Sequence, residues 1–258
     1  MLITGATGGI GQAIARAFAR RGANLILTGR RDDVLERLAV ELGGRALSCD
    51  LAEREQVERL IGEVEGTPPD VFVANAGLPA TGSLTALPQE KIDGMLEVNL
   101  RAPIALARAL APGMMERRRG HLVFISSLSG KAASPASSLY AATKFGLRGF
   151  ALSIREDLRP HGVGVSVVLP GFIRDAGMFA DAKVKLPPGV GTRTSDQVAT
   201  AVICAIERNR AEIDVAPATL RLGATFAGAA PAFAATAQRL LGGGKVASDF
   251  ASGQRSKR

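Results

Sequence analysis

The sequence predicts an α/β protein: one doubly wound parallel sheet of about seven strands with helices on both faces. Three observations predict it. Short β-rich runs alternate with helical stretches almost to the end of the chain. The central runs are nearly all apolar, as in Val163-Gly164-Val165-Ser166-Val167-Val168-Leu169, which fits strands covered on both faces. A glycine-rich turn joins the first strand to the first helix. With 258 residues, 47% of them hydrophobic and 22% charged, the chain can bury a sizeable core. No linker or repeat divides it, so residues 1–216 are expected to form the main domain and 217–258 a helical extension of it.

The first strand, over 2–4, is short, with only Met1, Leu2 and Ile3 before Thr4. Thr4-Gly5-Ala6-Thr7-Gly8-Gly9-Ile10-Gly11 then opens a helix over 9–21. Gly5, Gly9 and Gly11 have the spacing G-x-x-x-G-x-G. Absent side chains permit a tight turn, close approach of a pyrophosphate and close helix–strand packing. The helix N-terminus then faces the phosphates, so dinucleotide binding is expected here, with Thr7 and Ile10 in the same turn. The plainer alternative is a sharp βα corner. The second strand, over 24–28, leads into Gly29-Arg30-Arg31 and a helix over 32–42. An acid at Gly29 would suit the ribose 2′-hydroxyl of NAD. Gly29 leaves that place empty, and Arg30 and Arg31 suit a 2′-phosphate by charge and bidentate geometry. NADP(H) is therefore expected over NAD(H).

A strand over 46–49 ends at Asp50-Leu51 and precedes a helix over 53–63; the next strand, 71–74, ends at Asn75-Ala76-Gly77. Helices are expected over 88–98 and 102–118, with Asn99 between them. The second ends in Arg117-Arg118-Arg119, where cations suit the macrodipole. The strand over 121–125 leads to Ser126-Ser127. In the helix over 138–159 stands Tyr140, the single tyrosine of the chain, with Lys144 four residues on. One helical turn puts both on one face. A cation beside a phenol favours the phenolate and lowers its pKa from about 10 towards the range of a general acid. The strand over 163–169 ends at Pro170-Gly171. Residues 172–194 read as a long loop containing Gly177, Pro187, Pro188, Gly189 and Gly191, a place where function concentrates. A helix over 195–209 and a strand over 213–216 follow. Beyond Pro217 the chain is Ala-rich, with helical stretches near 219–228 and 231–242 and a frayed end over 245–258.

Taken in chain order, these motifs resemble those of the short-chain dehydrogenase/reductase family, closely over residues 1–175. The resemblance implies a Rossmann-like fold with strand order 3-2-1-4-5-6-7 and hydride transfer between NAD(P) and a carbonyl or alcohol. By position, Asp50 and Leu51 would meet the adenine, and Asn75, Ala76 and Gly77 would support the cofactor. Pro170, Gly171 and Ile173 would border the nicotinamide. Asn99, Ser127, Tyr140 and Lys144 would be the catalytic tetrad. Tyr140 would protonate the carbonyl oxygen while Ser127 stabilises the developing alkoxide. Lys144 would bind ribose hydroxyls and depress the Tyr140 pKa. Asn99 would hold a water linking Lys144 to solvent. Many members carry a Thr after Pro-Gly that contacts the nicotinamide amide; here Asp175 stands near that place and the contact is left open. The C-terminal part departs from the oxoacyl-carrier-protein reductase-like members, so neither their substrate nor their tetramer is assumed. A homodimer or homotetramer is expected by resemblance only.

Net charge is +8 and pI about 10.2. The basic residues are spread over helices, and the clusters Arg117-Arg118-Arg119 and Arg255-Ser256-Lys257-Arg258 lack interleaved aromatics, so no nucleic-acid partner is expected. Cys49 and Cys204 form no C-x-x-C and read as reduced, buried residues of a cytoplasmic protein. No signal peptide is expected, because a strand and the Gly-rich turn occupy the first residues. No metal is expected. The weakly polar stretch 223–237 is short of a bilayer span and broken by Pro231. Phe172, Met178, Phe179, Leu186 and the apolar C-terminal segment suggest a moderately hydrophobic ketone or aldehyde as substrate. Two other readings stand beside this one. The first is a cofactor-bound sensor or scaffold, disfavoured by an intact tetrad. The second is a peripheral membrane enzyme, against which packing of the C-terminal helices on their own domain or a partner subunit is preferred.

Overall fold

The computed structural model describes residues 1–79, 82–182, 186 and 190–240. Seven parallel strands form one sheet in the order β3-β2-β1-β4-β5-β6-β7. They are β1 (Leu2–Thr4), β2 (Ile26–Gly29), β3 (Arg45–Ser48), β4 (Val71–Ala74), β5 (Gly120–Ile125), β6 (Val163–Pro170) and β7 (Glu212–Val215). The order reverses between β1 and β4, which is where an open α/β sheet places its ligand crevice.

The period-2 alternation of each strand divides the core into two layers. Leu2, Phe72, Leu122 and Val167 point to one face, where they pack under α3 (Arg54–Glu65), α5 (Ala102–Glu116) and α6 (Ser138–Leu158). Their neighbours Ile3, Val73, Val123 and Val168 point to the other, under α1 (Gly9–Ala19), α2 (Asp32–Leu42) and α8 (Ser195–Glu207). Phe124 joins Phe72 and Phe150 edge-to-face, at 6.4 and 5.6 Å between ring centroids.

Two departures from the expected elements have physical causes. The helices expected over 88–98 and 102–118 are not separated. α4 (Gln89–Leu96) runs through a π-helical turn, Glu97–Arg101, into α5. Pro103 has no N–H to give to the Asn99 carbonyl four residues back, and the Ala102 N–H bonds Glu97 O five residues back. The expected loop 172–194 contains a short helix, α7 (Gly177–Ala182), and pairs Ile173 with Arg193 in a parallel bridge. Pro187, Pro188 and Gly189 lie outside the described residues. α8 begins with a capping box in which Thr194 accepts from the Gln197 N–H at 3.2 Å.

The C-terminal extension forms α9 (Ala218–Ala229) and α10 (Pro231–Leu240), joined at Ala230, with Pro231 at the first position of α10. The end expected to fray, 245–258, with its basic cluster, lies outside the described residues. Cys49 is buried as expected, whereas Cys204 is only half-buried.

Candidate active site

The Gly-rich turn leaves β1 at Gly5, whose φ of +64° belongs to the left-handed region. A Cβ there would lie 2.7 Å from Ala76 Cα, and one on Gly11 would lie 2.3 Å from Gly5 O. These contacts fix why the turn must lack side chains: it passes flush against the end of β4. Asn75 holds the two together, its Nδ2 donating to Thr4 O at 3.0 Å and Gly5 O at 3.1 Å. Thr4 Oγ1 in turn accepts from the Asn75 and Ala76 N–H groups at 3.1 and 3.2 Å. The sequence reading missed Thr4; a hydroxyl closing an apolar strand was its only signal. α1 starts at Gly9 with no side-chain cap, so its first amides are available to an anion.

Beside this turn, Gly29 passes Thr7 so closely that a Cβ would meet Thr7 Oγ1 at 3.0 Å. The two arginines that follow have different surroundings. Arg31 donates to the Thr7 carbonyl and so braces the Gly-rich turn. Arg30 is 58% exposed and faces Asp50 at 3.6 Å. Asp50 Oδ1 accepts from the Ala52 N–H at 3.0 Å, and Leu51 is buried in the core.

The remaining predicted residues meet at the ends of β4, β5 and β6. Tyr140, in the first turn of α6, is half-buried, and its hydroxyl bonds the Ser127 side chain. Ser127 is positioned by the turn after β5: its Oγ accepts from the Ser129 N–H at 3.1 Å and reaches Pro170 O at 3.5 Å. Lys144 is buried, donates to Ile125 O at 3.0 Å, and lies 5.6 Å from the Tyr140 ring centroid. Ser126, also buried, donates to Lys144 O at 2.9 Å and so ties α6 to the end of β5. Asn99 projects from the π turn with no exposure. Its Oδ1 accepts from the Leu78 N–H at 2.7 Å, and its Nδ2 donates to Leu78 O at 3.0 Å and Thr143 Oγ1 at 3.3 Å. Gly77 sits among these groups: a Cβ there would stand 3.5 Å from Lys144 Nζ and 3.6 Å from Asn99 Oδ1.

Electrostatics follow from burial. The Tyr140 phenol is pushed up to about 12 by loss of water, opposed by the Ser127 hydrogen bond. The Lys144 ammonium is pushed down to about 8 by the same cause. Burial, and not the expected depression by Lys144, sets the direction of the phenol's shift in the polypeptide itself. Near neutral pH the pair stands as phenol and ammonium.

Beside this group, Phe172 and Phe179 lie tilted against each other, 5.0 Å between ring centroids and 51° between planes. The α7 segment lies over the Gly-rich turn: Ala176 is against Gly9, Gly177 against Ile10, and the Met178 methyl is near Gly77. Asp175, near the place of the expected Thr, accepts from the Ser195 N–H at 2.9 Å and Ser195 Oγ at 3.1 Å. It joins the segment to the start of α8. Ile173 is buried and Gly171 packs against Ala216. Among the described residues no cluster of His, Cys, Asp or Glu could hold a metal ion.

The seven-stranded parallel sheet sets a glycine-rich turn at its switch point, with the Ser127–Tyr140–Lys144 group beside it, where an open α/β sheet binds its ligand. The comparisons agree. A family model described as short chain dehydrogenase matches residues 1–186. The ketoacyl reductase HetN of Nostoc sp. is 35% identical over 222 residues, covering 83% of this chain and 77% of that one. Among solved structures, a short-chain dehydrogenase from Sphingobium yanoikuyae in complex with NADPH superposes with a TM-score of 0.78 at 26% identity, covering 93% of this chain and 94% of that one. A metagenomic short-chain oxidoreductase in complex with NADP gives 0.68 at 35% identity, covering 83% and 95%. The chain belongs to the short-chain dehydrogenase/reductase family and is an oxidoreductase of that family.

Proposed function

We propose that the protein is an NADP(H)-dependent reductase of a moderately hydrophobic ketone or aldehyde, or in reverse a dehydrogenase of the secondary or primary alcohol. The observation that carries this reading is the Ser127–Tyr140–Lys144 group beside the Gly-rich turn. The residues present fit a nicotinamide dinucleotide: the absence of side chains at Gly5, Gly9 and Gly11 lets the turn pass close to Ala76, Ala176 and its own backbone, and α1 opens uncapped behind it with its first amides available to a pyrophosphate. Thr7, Ile10, Asp50, Leu51, Asn75, Ala76, Gly77, Pro170, Gly171 and Ile173 complete the walls. When bound, the cofactor supplies or accepts the hydride.

The chain's own groups then handle the oxygen. Ser127 donates a hydrogen bond to the carbonyl oxygen, stabilising the charge that develops there. Tyr140, still protonated near neutrality, gives that oxygen its proton, or accepts one in alcohol oxidation. Lys144 keeps a cation beside the phenol and offers its remaining N–H groups to the ribose. Asn99 holds the backbone at Leu78 and can lend its Oδ1 to a water next to Lys144. The NADP(H) preference rests on Arg30, with no acid at Gly29 to favour NAD(H).

The substrate class rests on the Phe172–Phe179 pair and on Met178 beside Gly77, with Leu186 in the same stretch of sequence. The reading of a sensor or scaffold with little turnover is disfavoured by the presence of all four polar residues. A homo-oligomer and a cytoplasmic location accompany the proposal through the family resemblance. The test is NADPH oxidation against a panel of carbonyls with Tyr140→Phe as control. Turnover of lipophilic ketones that collapses in the variant, with cofactor binding intact, supports the reading. Preference for small polar sugars removes the substrate class, and an active Tyr140→Phe removes the proton-transfer role.

A further inference from the structure

A cluster of four charged side chains lies beside the turn that carries Ser127. Lys131 follows the 3-10 turn Leu128–Gly130, and its ammonium reaches Asp214 Oδ1 and Oδ2 at 2.7 and 2.9 Å and also Glu212. Glu212 and Asp214 stand two apart on β7, so both face the same side of the sheet. Arg148, on α6 four residues beyond Lys144, takes the other Glu212 oxygen. Lys131 and Asp214 are each only 10% exposed.

Ion pairs withdrawn from water add little net stability over apolar side chains of the same size; their best-attested use is to fix one register. Here the register is that of Ser127. The turn is three residues long; the Gly130 N–H donates to Ser127 O at 2.8 Å and the Lys131 N–H to Leu128 O at 2.9 Å. It has no slack against α6: a Cβ on Gly130 would lie 2.7 Å from Ser126 Oγ and 2.8 Å from Lys144 O. On another side α9 packs on it, with Gly228 so close that a Cβ would stand 3.1 Å from Lys131 O. The Ser127 hydroxyl reaches Pro170 O at 3.5 Å, and Pro170 pairs with Val215, the neighbour of Asp214 on β7. Lys131 therefore joins the turn to the strand that flanks the Ser127 acceptor. Glu212 and Arg148 join that strand to the helix that carries Tyr140.

We propose that Lys131 is a positioning residue of the reductase. By tying the Ser127 turn to β7, and through Glu212 and Arg148 to α6, it holds the Ser127 hydroxyl where it meets both Tyr140 and the substrate oxygen. The inference deepens the proposed reductase site and rests on that reading for its kinetic consequences, though not for the placement of Ser127 against Tyr140. A displaced Ser127 would remove an interaction made in the transition state, so kcat and kcat/KM should fall together. A misplacement of about 1 Å can cost about 10²-fold in rate.

The test compares Lys131→Met, Lys131→Met/Asp214→Asn and Lys131→Arg with the parent in NADPH-linked carbonyl reduction, below their melting temperatures. The double variant removes the cation together with the carboxylate it would leave unpaired, so it keeps the fold while losing the tie. Both Met variants are expected to lose kcat by about 10–100-fold with NADPH affinity within about twofold of the parent, and Lys131→Arg to stay within about threefold. A second measurement needs no turnover: the chain has one Tyr and no Trp, so tyrosine fluorescence reports Tyr140 alone and should change when the Ser127 hydroxyl moves. Full kcat in the double variant, a loss of NADPH affinity equal to the loss of kcat, or a Lys131→Arg as impaired as Lys131→Met overturns the proposal. So does Tyr140 emission identical in the parent and the double variant. A parent without carbonyl turnover removes the reductase reading instead, and the emission still decides whether Lys131 places Ser127.

Discussion

The Lys144 ammonium lies 5.6 Å from the Tyr140 ring centroid and donates a hydrogen bond to Ile125 O at 3.0 Å. One turn of α6 sets the pair, and the carbonyl at the end of β5 holds the lysine in place. Burial raises the phenol to about 12 and lowers the ammonium to about 8, so the two titrations are well separated and the lysine changes first as pH rises.

Carbonyl reduction should therefore decline as pH rises through about 8, when Lys144 loses its charge, although Tyr140 keeps its proton. The pH profile of kcat/KM checks this. Lys144→Met should remove that limb and lower activity throughout. Tyr140→Phe should cut turnover by roughly 10²–10⁴-fold, the usual worth of a positioned acid.

The two arginines after β2 should separate by cofactor. Arg30 is free to meet a 2′-phosphate once it leaves Asp50, so Arg30→Ala should weaken NADPH binding by about 10–100-fold and leave NADH nearly unchanged, as for the loss of one or two charge-assisted hydrogen bonds. Arg31 braces Thr7 O, so Arg31→Ala should weaken both cofactors together. Titrating cofactor fluorescence with each variant distinguishes the two; equal losses for NADPH and NADH in Arg30→Ala would remove that residue from phosphate recognition.

What the sequence made legible follows the range of the interactions involved. The sheet was readable because strands such as Val71–Ala74 and Gly120–Ile125 are short, nearly all-apolar runs alternating with helical stretches, a local pattern. Tyr140 and Lys144 were readable because one helical turn joins them. The π turn at Asn99 was not, since it follows from the pairing of a missing proline N–H with a carbonyl four residues away, inside a segment helical on either side. The place of Asp175 stayed open for a similar reason: its partner, Ser195, is 20 residues downstream. Neither did the sequence disclose that burial would set the sign of the Tyr140 shift, because depth is a property of the assembled fold.

His121, far from the active group at the start of β5, should govern acid stability. It is buried, with Nε2 2.8 Å from Ser166 Oγ. The Ser166 hydroxyl also donates to Arg210 O at 2.5 Å, so the imidazole is assigned Nε2–H as donor. Burial, helped by the charge of Arg155, lowers its pKa to about 4 from the ordinary 6.5. Between those values the unfolded chain binds the extra proton, so stability is present above pH 6.5 and falls as pH drops towards 4. By pH 5 the loss should be about 2 kcal/mol. Urea midpoints at pH 7 and 5 measure it, and His121→Asn should flatten the difference.

Lys131 should matter more as a lone deletion than with its partners removed too. It follows the short turn that carries Ser127 and Ser129, and its ammonium reaches Asp214 Oδ1 and Oδ2 at 2.7 and 2.9 Å and also Glu212. Lys131 and Asp214 are each only 10% exposed, and Arg148 holds the far oxygen of Glu212. The edge strand β7 is thereby fastened to the Ser127 turn just before the chain enters α9. Lys131→Met would leave two carboxylates side by side on β7 without their shared cation, a loss on the order of 3 kcal/mol by analogy with other broken buried pairs. In Lys131→Met/Asp214→Asn the orphaned charge is gone, and much of that stability should return. Thermal melts of the two variants test the claim. An equal or greater loss in the double variant would show that the contacts of Asp214, and not its unpaired charge, set the cost.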